Sequence, residues 1–179
     1  MIPENSPYSF LNNEPAPRHL LEAIKLYGIK EGVGAKDNPI IIEWAKECGL
    51  GGIYKEDSMP WCGLFVSICL HRAGRDILPS TWDNLRALKW GSWGLPARTA
   101  MLGDILVFQR PGGGHVGFYV GEDEVAYHVL GGNQGDMVSV TRISKSRMVA
   151  ISRPKYNNQP ENIRIVKLMI SGKLSENEA

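Results

Sequence analysis

The stretch Asp57-Ser58-Met59-Pro60-Trp61-Cys62-Gly63-Leu64-Phe65-Val66-Ser67-Ile68-Cys69-Leu70 decides how this chain is read. Its first half is turn-prone and its second half is apolar nearly all round, the mark of a central buried helix. Cys62 falls at the first turn of that helix, which is predicted to run to about Ala73 and stop at Gly74. The helix N-terminus carries partial positive charge and unpaired N–H groups. A thiol there can be drawn toward the thiolate, and the same N–H groups can hold an oxyanion. Cys62 is therefore the candidate nucleophile. Cys69 lies two turns further along, roughly 10 Å away, too far for a disulfide. Cys69 and Cys48 read as core residues.

Two further helices are expected before this one. Pro17 to Tyr27 carries Leu20, Leu21, Ile24 and Tyr27 on one face and meets a stop at Gly28. Asn38 caps a second, with Pro39 at its first position, Ile41, Trp44, Ala45 and Cys48 as its stripe, and Gly49 past its end. A fourth helix is predicted from Thr81 to about Lys89, capped by Ser80. After Gly91 the period changes from helix to strand. Strands are predicted at Asp104–Arg110, His115–Val120, Glu124–Leu130, Met137–Arg142 and Arg147–Arg153. Short turns favour antiparallel pairing. Helices first and strands second define an α+β fold, with N-terminal helices packed on a C-terminal antiparallel sheet of about five strands. Residues 1–16 read as an irregular leader, 17–154 as one catalytic domain, and 155–179 as an extension that is not an independent domain. Within it, 163–170 fits strand or helix, and 171–179 reads as a polar tail.

The bulk properties narrow the function classes. The 179 residues suit one domain, and 43% hydrophobic with 22% charged residues is ordinary for a globular chain. A net charge of +1, with basic residues scattered, argues against a nucleic-acid partner. No apolar run reaches the length of a membrane span, so no membrane insertion is expected. The N-terminus lacks the pattern of a secretory signal, which leads to the expectation of cytoplasmic synthesis. Three cysteines are too few for a disulfide scaffold, and without a Cys-x-x-Cys pair the set Cys48, Cys62, Cys69 and His71 makes a poor metal site. No metal and no cofactor are expected.

A thiol nucleophile needs a base. Of four histidines, His19 reads as a surface residue and His71 lies several turns down the helix from Cys62. His115 opens a strand after Gly112-Gly113-Gly114, which lets the backbone approach another element, and is the candidate base. Asn133 and His128 are candidates for orienting its imidazole. Pairing Val120 with Val125 would set His115 opposite Leu130 and put His128 on the His115 face. Slipping the register by one residue would reverse this. Trp61, Trp93 and Tyr119 fit either groove walls or core, and Asp57 fits either a substrate contact or a helix cap.

Pro60-Trp61-Cys62-Gly63-Leu64-Phe65-Val66, Gly103-Asp104-Ile105-Leu106-Val107-Phe108 and Gly113-Gly114-His115-Val116-Gly117-Phe118-Tyr119 together resemble the CHAP and NlpC-type cysteine peptidases. Leu130-Gly131-Gly132-Asn133-Gln134 is similar to a subgroup found in phage and bacterial genomes. The motifs span about 60–135, and a looser likeness covers roughly 17–154. The resemblance implies a papain-like fold and hydrolysis of peptidoglycan amide bonds. It implies Cys62 as nucleophile, His115 as base and Asn133 as orienter. Trp61, Asp57, Tyr119 and Gln134 are the candidate substrate contacts. Many relatives carry an acidic residue just ahead of the asparagine, where this chain has Gly131. The acidic calcium loop of some relatives is not evident. The expectation is a monomeric phage endolysin, made in the cytoplasm and acting on the bacterial wall during host lysis. A secreted bacterial amidase effector and a non-catalytic wall-binding or virion protein of the same fold are the alternatives.

Overall fold

The structure, a computed structural model, describes residues 1–34, 36–170 and 172–178. Helices α1 (Arg18–Lys25), α2 (Pro39–Glu47), α3 (Cys62–Arg72) and the short α4 (Thr81–Leu85) precede every strand of the sheet. The strands are β1 (Leu95–Pro96), β2 (Ile105–Arg110), β3 (Gly113–Glu122), β4 (Ala126–Gly131), β5 (Ser139–Ser144) and β6 (Met148–Arg153). They form one sheet in the order β1-β6-β2-β3-β4-β5, every pair antiparallel. The fold is α+β, with one strand more than the sequence pattern predicts. The extra strand is the two-residue edge β1, too short to carry a period, with Leu95 opposite Arg153.

The local signals explain the helices. Asn38 Oδ1 accepts from the Ile40 N–H at 2.9 Å, and Pro39 follows at the first helical position. The predicted fourth helix ends early: α4 stops at Leu85, and Ala87–Ser92 forms a 3-10 turn instead. Ser80 stands at its N-cap but makes no side-chain cap bond.

α3 runs through the centre, with every residue from Cys62 to Leu70 buried. Each large apolar side chain on it contributes about 1.5–3 kcal/mol of burial. Phe65 stacks on Trp44 of α2 and on Phe118 of β3, tying the helical layer to the sheet. Gly63 permits a close approach: a Cβ there would lie 2.2 Å from the Asn84 carbonyl oxygen. At the far edge, buried Asp104 accepts two hydrogen bonds from Arg153, at 2.9 and 2.7 Å, which fastens β6 to the start of β2.

Both ends of the chain join this core. Residues 1–16 are irregular apart from a 3-10 turn at Ser9–Asn12, and Ile2, Tyr8 and Leu11 are buried in the core. Beyond β6, Val166 exchanges bonds with Tyr119 and Glu122, and Lys167 forms an isolated parallel bridge with Glu122. Residues 163–170 are thus neither helix nor regular strand. Of the predicted polar tail, Ser171 and Ala179 lie outside the described residues, while Glu178 is buried. Among the described residues no helix is long and apolar enough to cross a membrane.

Candidate functional site

The N-terminus of α3 carries no side-chain cap, so its backbone N–H groups stay free for other partners. The Cys62 sulfur draws on them. Burial pushes the thiol up from its ordinary value, against hydrogen bonds from the N–H groups of Val116, Gly63 and Cys62 itself and the positive charge of Arg110. The helix end can draw the thiol toward the thiolate; here desolvation outweighs that pull. Val116 is the residue after His115, so the β3 backbone meets the nucleophile helix at the candidate dyad.

His115 lies in β3 opposite Phe108 of β2 and is 2% exposed. Its Nε2 lies 3.0 Å from Gln134 Oε1. The Gln134 amide nitrogen donates to the carbonyl oxygens of Val129 (3.2 Å) and Ser139 (2.5 Å). Carbonyls only accept, so the amide cannot flip, and its oxygen must face the imidazole. Nε2 therefore carries the proton, and the lone pair is on Nδ1. The imidazole is held in one tautomer, ready to accept a proton at Nδ1. Burial takes its pKa down to about 4, against the opposing pull of the Glu178 charge and the Gln134 bond; Arg110 and Arg147 add to the lowering.

The partner of His115 is therefore Gln134, one residue beyond the expected Asn133. Asn133 sits in the left-handed region at φ 55°, is 5% exposed, and its Oδ1 has no hydrogen-bond partner. Gln134, expected to touch substrate, is buried and committed to His115, Val129 and Ser139. His128 is not a partner either. β3 runs on to Glu122, so the β3–β4 turn falls two residues later than a Val120–Val125 pairing requires, and a bulge follows Tyr119. Phe118 faces Leu130 and Gly121 faces His128, which leaves His128 on the face opposite to His115. There His128 Nδ1 meets the Tyr8 hydroxyl at 2.7 Å and Nε2 meets Asp123 at 2.9 Å.

The other expected contacts resolve as structure. Trp61 is fully buried against Trp44, and its indole N–H donates to Glu31 at 2.5 Å. Tyr119 is fully buried beneath Val166. Asp57 caps neither α3 nor an open groove; it accepts from the N–H groups of Gly32 and Asn38, both at 2.7 Å, and pins the 30–38 connection to the approach to Cys62. His19, read as a surface residue, is fully buried and bonds the Gly103 carbonyl at 2.7 Å. Cys69 is core and Cys48 is half-buried. Among the described residues no cluster of three or more His, Cys, Asp or Glu side chains could hold a metal ion.

Three residues near His115 escaped the sequence reading. Arg110 ends β2, Arg147 ends the turn before β6, and Glu178 comes from the C-terminal segment. No local pattern marks them, because they meet only in the folded chain. Comparison of the chain with models of known protein families and with curated proteins found no match.

Proposed function

We propose that this protein is a cysteine hydrolase of papain-like fold that cleaves an amide bond of the bacterial cell-wall peptide, as a phage endolysin does. The observation that carries this reading is the tautomer lock on His115, which leaves the lone pair of a buried imidazole on Nδ1; the thiol it would serve, Cys62, stands at the start of α3. The CHAP and NlpC-like motifs supply the substrate class.

In the reaction, His115 Nδ1 takes the Cys62 proton and the sulfur attacks the substrate carbonyl carbon. The N–H groups at the start of α3 and of Val116 stabilise the negative oxygen of the tetrahedral intermediate. The C–N bond then breaks, and the imidazolium returns its proton to the leaving amine. Water attacks the resulting thioester, Nδ1 accepts its proton, and the acid product leaves as the C–S bond breaks. Gln134 keeps the proton on Nε2 throughout and is the positioning residue.

Digestion of purified peptidoglycan tests the proposal. The wild-type chain should release peptide-bearing fragments and Cys62→Ala should release none. Mass spectrometry of the fragments separates a lactyl–alanine amidase from a stem-peptide endopeptidase. An absence of cleavage by the wild type would refute the hydrolase reading.

A further inference from the structure

The candidate dyad is closed: Cys62 is 5% exposed and His115 is 2% exposed. The chain's own C-terminal segment lies beside it. Arg142 donates to the Gly172 carbonyl and Arg110 to the Asn177 side chain. Arg147 reaches the Ser175 carbonyl at 3.0 Å. The Glu178 carbonyl accepts from the N–H of Gly135, next to the Gln134 that holds His115. The Glu178 side chain is fully buried and takes two parallel bonds from Arg147, both 2.8 Å. Arg147 is steadied apart from the tail by a bond from its Nε to the Gln109 carbonyl at 3.1 Å.

Burying a carboxylate and a guanidinium gains little stability over apolar packing. The fork geometry is, however, well suited to recognising a carboxylate. The tail thus presents a main-chain carbonyl to the loop and an acid to the arginine, as a bound acidic peptide would. We propose that Arg147, flanked by Arg110, is a carboxylate subsite for an acidic peptide substrate, and that Glu178 occupies it until substrate displaces the tail. This rests on the hydrolase reading and adds its substrate class: a stem peptide with a free carboxylate near the scissile bond.

The test measures binding, so that turnover does not intervene. Full-length Cys62→Ala protein is titrated calorimetrically with acetyl-L-alanyl-γ-D-glutamyl-L-lysine, and with the same peptide carrying an α-amide on its glutamyl residue. Adding Glu178→Gln should tighten the carboxylate peptide about tenfold, because less of the protein is self-occupied. The amide should bind about tenfold more weakly than the acid, and a further Arg147→Ala should abolish that difference. Equal binding of acid and amide, or no effect of Glu178→Gln, would overturn the proposal. Should Glu178→Gln fail to fold, hydrogen exchange in the Cys62→Ala chain decides. The acid peptide should speed exchange across 172–178, and unchanged exchange would overturn the proposal. Carboxylate-selective binding without peptidoglycan cleavage would refute the hydrolase and keep the subsite. Cleavage with no preference for the acid would refute the subsite alone.

Discussion

Gln134 Oε1 accepts the Nε2 proton of His115 across 3.0 Å, and the Gln134 amide is locked in turn by two carbonyls. That chain of bonds fixes which imidazole nitrogen is basic. Gln134→Ala should lower kcat on a peptidoglycan fragment by about 10²-fold, the scale of a mispositioned general base, with little change in KM. Gln134→Glu should not restore kcat, since a carboxylate accepts from Nε2 but cannot donate to the Val129 and Ser139 carbonyls. Asn133→Ala should cost less than Gln134→Ala, and the reverse ranking would return the orienting role to Asn133.

His128 should prove structural. It is buried between Tyr8 and Asp123, so His128→Ala strands the Tyr8 hydroxyl and removes one bond from Asp123, which keeps Arg142 and the N–H groups of Val125 and Ala126. The expected loss is about 1–3 kcal/mol of stability in chemical denaturation, with turnover per folded molecule unchanged. A stable His128→Ala protein without activity would contradict the assignment.

Two glycines of the loop after β4 separate site from core. A Cβ on Gly131 would meet Gln134 Oε1 at 2.9 Å and His115 Nε2 at 3.0 Å. A Cβ on Gly132 would meet Trp61 and Phe65, each at 2.6 Å. Gly131→Ala should therefore impair turnover more than stability. Gly132→Ala should destabilise by about 1–3 kcal/mol, the usual cost of overpacking. Melting temperatures and kcat measured side by side test this, and an opposite pattern would sink it.

Acid should destabilise the fold before any carboxylate titrates at its ordinary value. Burial lowers both His19 and His115 from 6.5 to about 4. Between those values the unfolded chain binds protons that the folded chain excludes. Stability is thus full above pH 6.5 and falls as the pH drops toward 4. Each histidine contributes on the order of 3 kcal/mol to the loss. His19→Gln should flatten the dependence of stability on pH across that window; an unchanged slope would show that His19 carries no such penalty.

The sequence made α2, α3, β2 and the opening of β3 legible, because apolar runs, a cap and glycines mark them locally. The placement of Cys62 at a helix start and of His115 in a strand was legible for the same reason. The imidazole's partner was not. Its identity depends on where the loop falls and on a bulge after Tyr119, and a single inserted residue exchanges the faces of a strand. His19 looked exposed because its partner, the Gly103 carbonyl, lies 84 residues away. The C-terminal segment reads only as a polar tail for a like reason: Arg147 stands 31 residues before Glu178, and no periodicity joins them.

The most direct test of the central claim is to catch the acyl-enzyme. Peptidoglycan digests are acid-quenched within the first turnovers, and the protein is mapped by mass spectrometry. A thioester-linked wall fragment is predicted on the peptide containing Cys62, with Cys48 and Cys69 unmodified and no adduct in Cys62→Ala. Fragment release at equal rates by the wild type and Cys62→Ala, with no adduct on Cys62, would contradict the account.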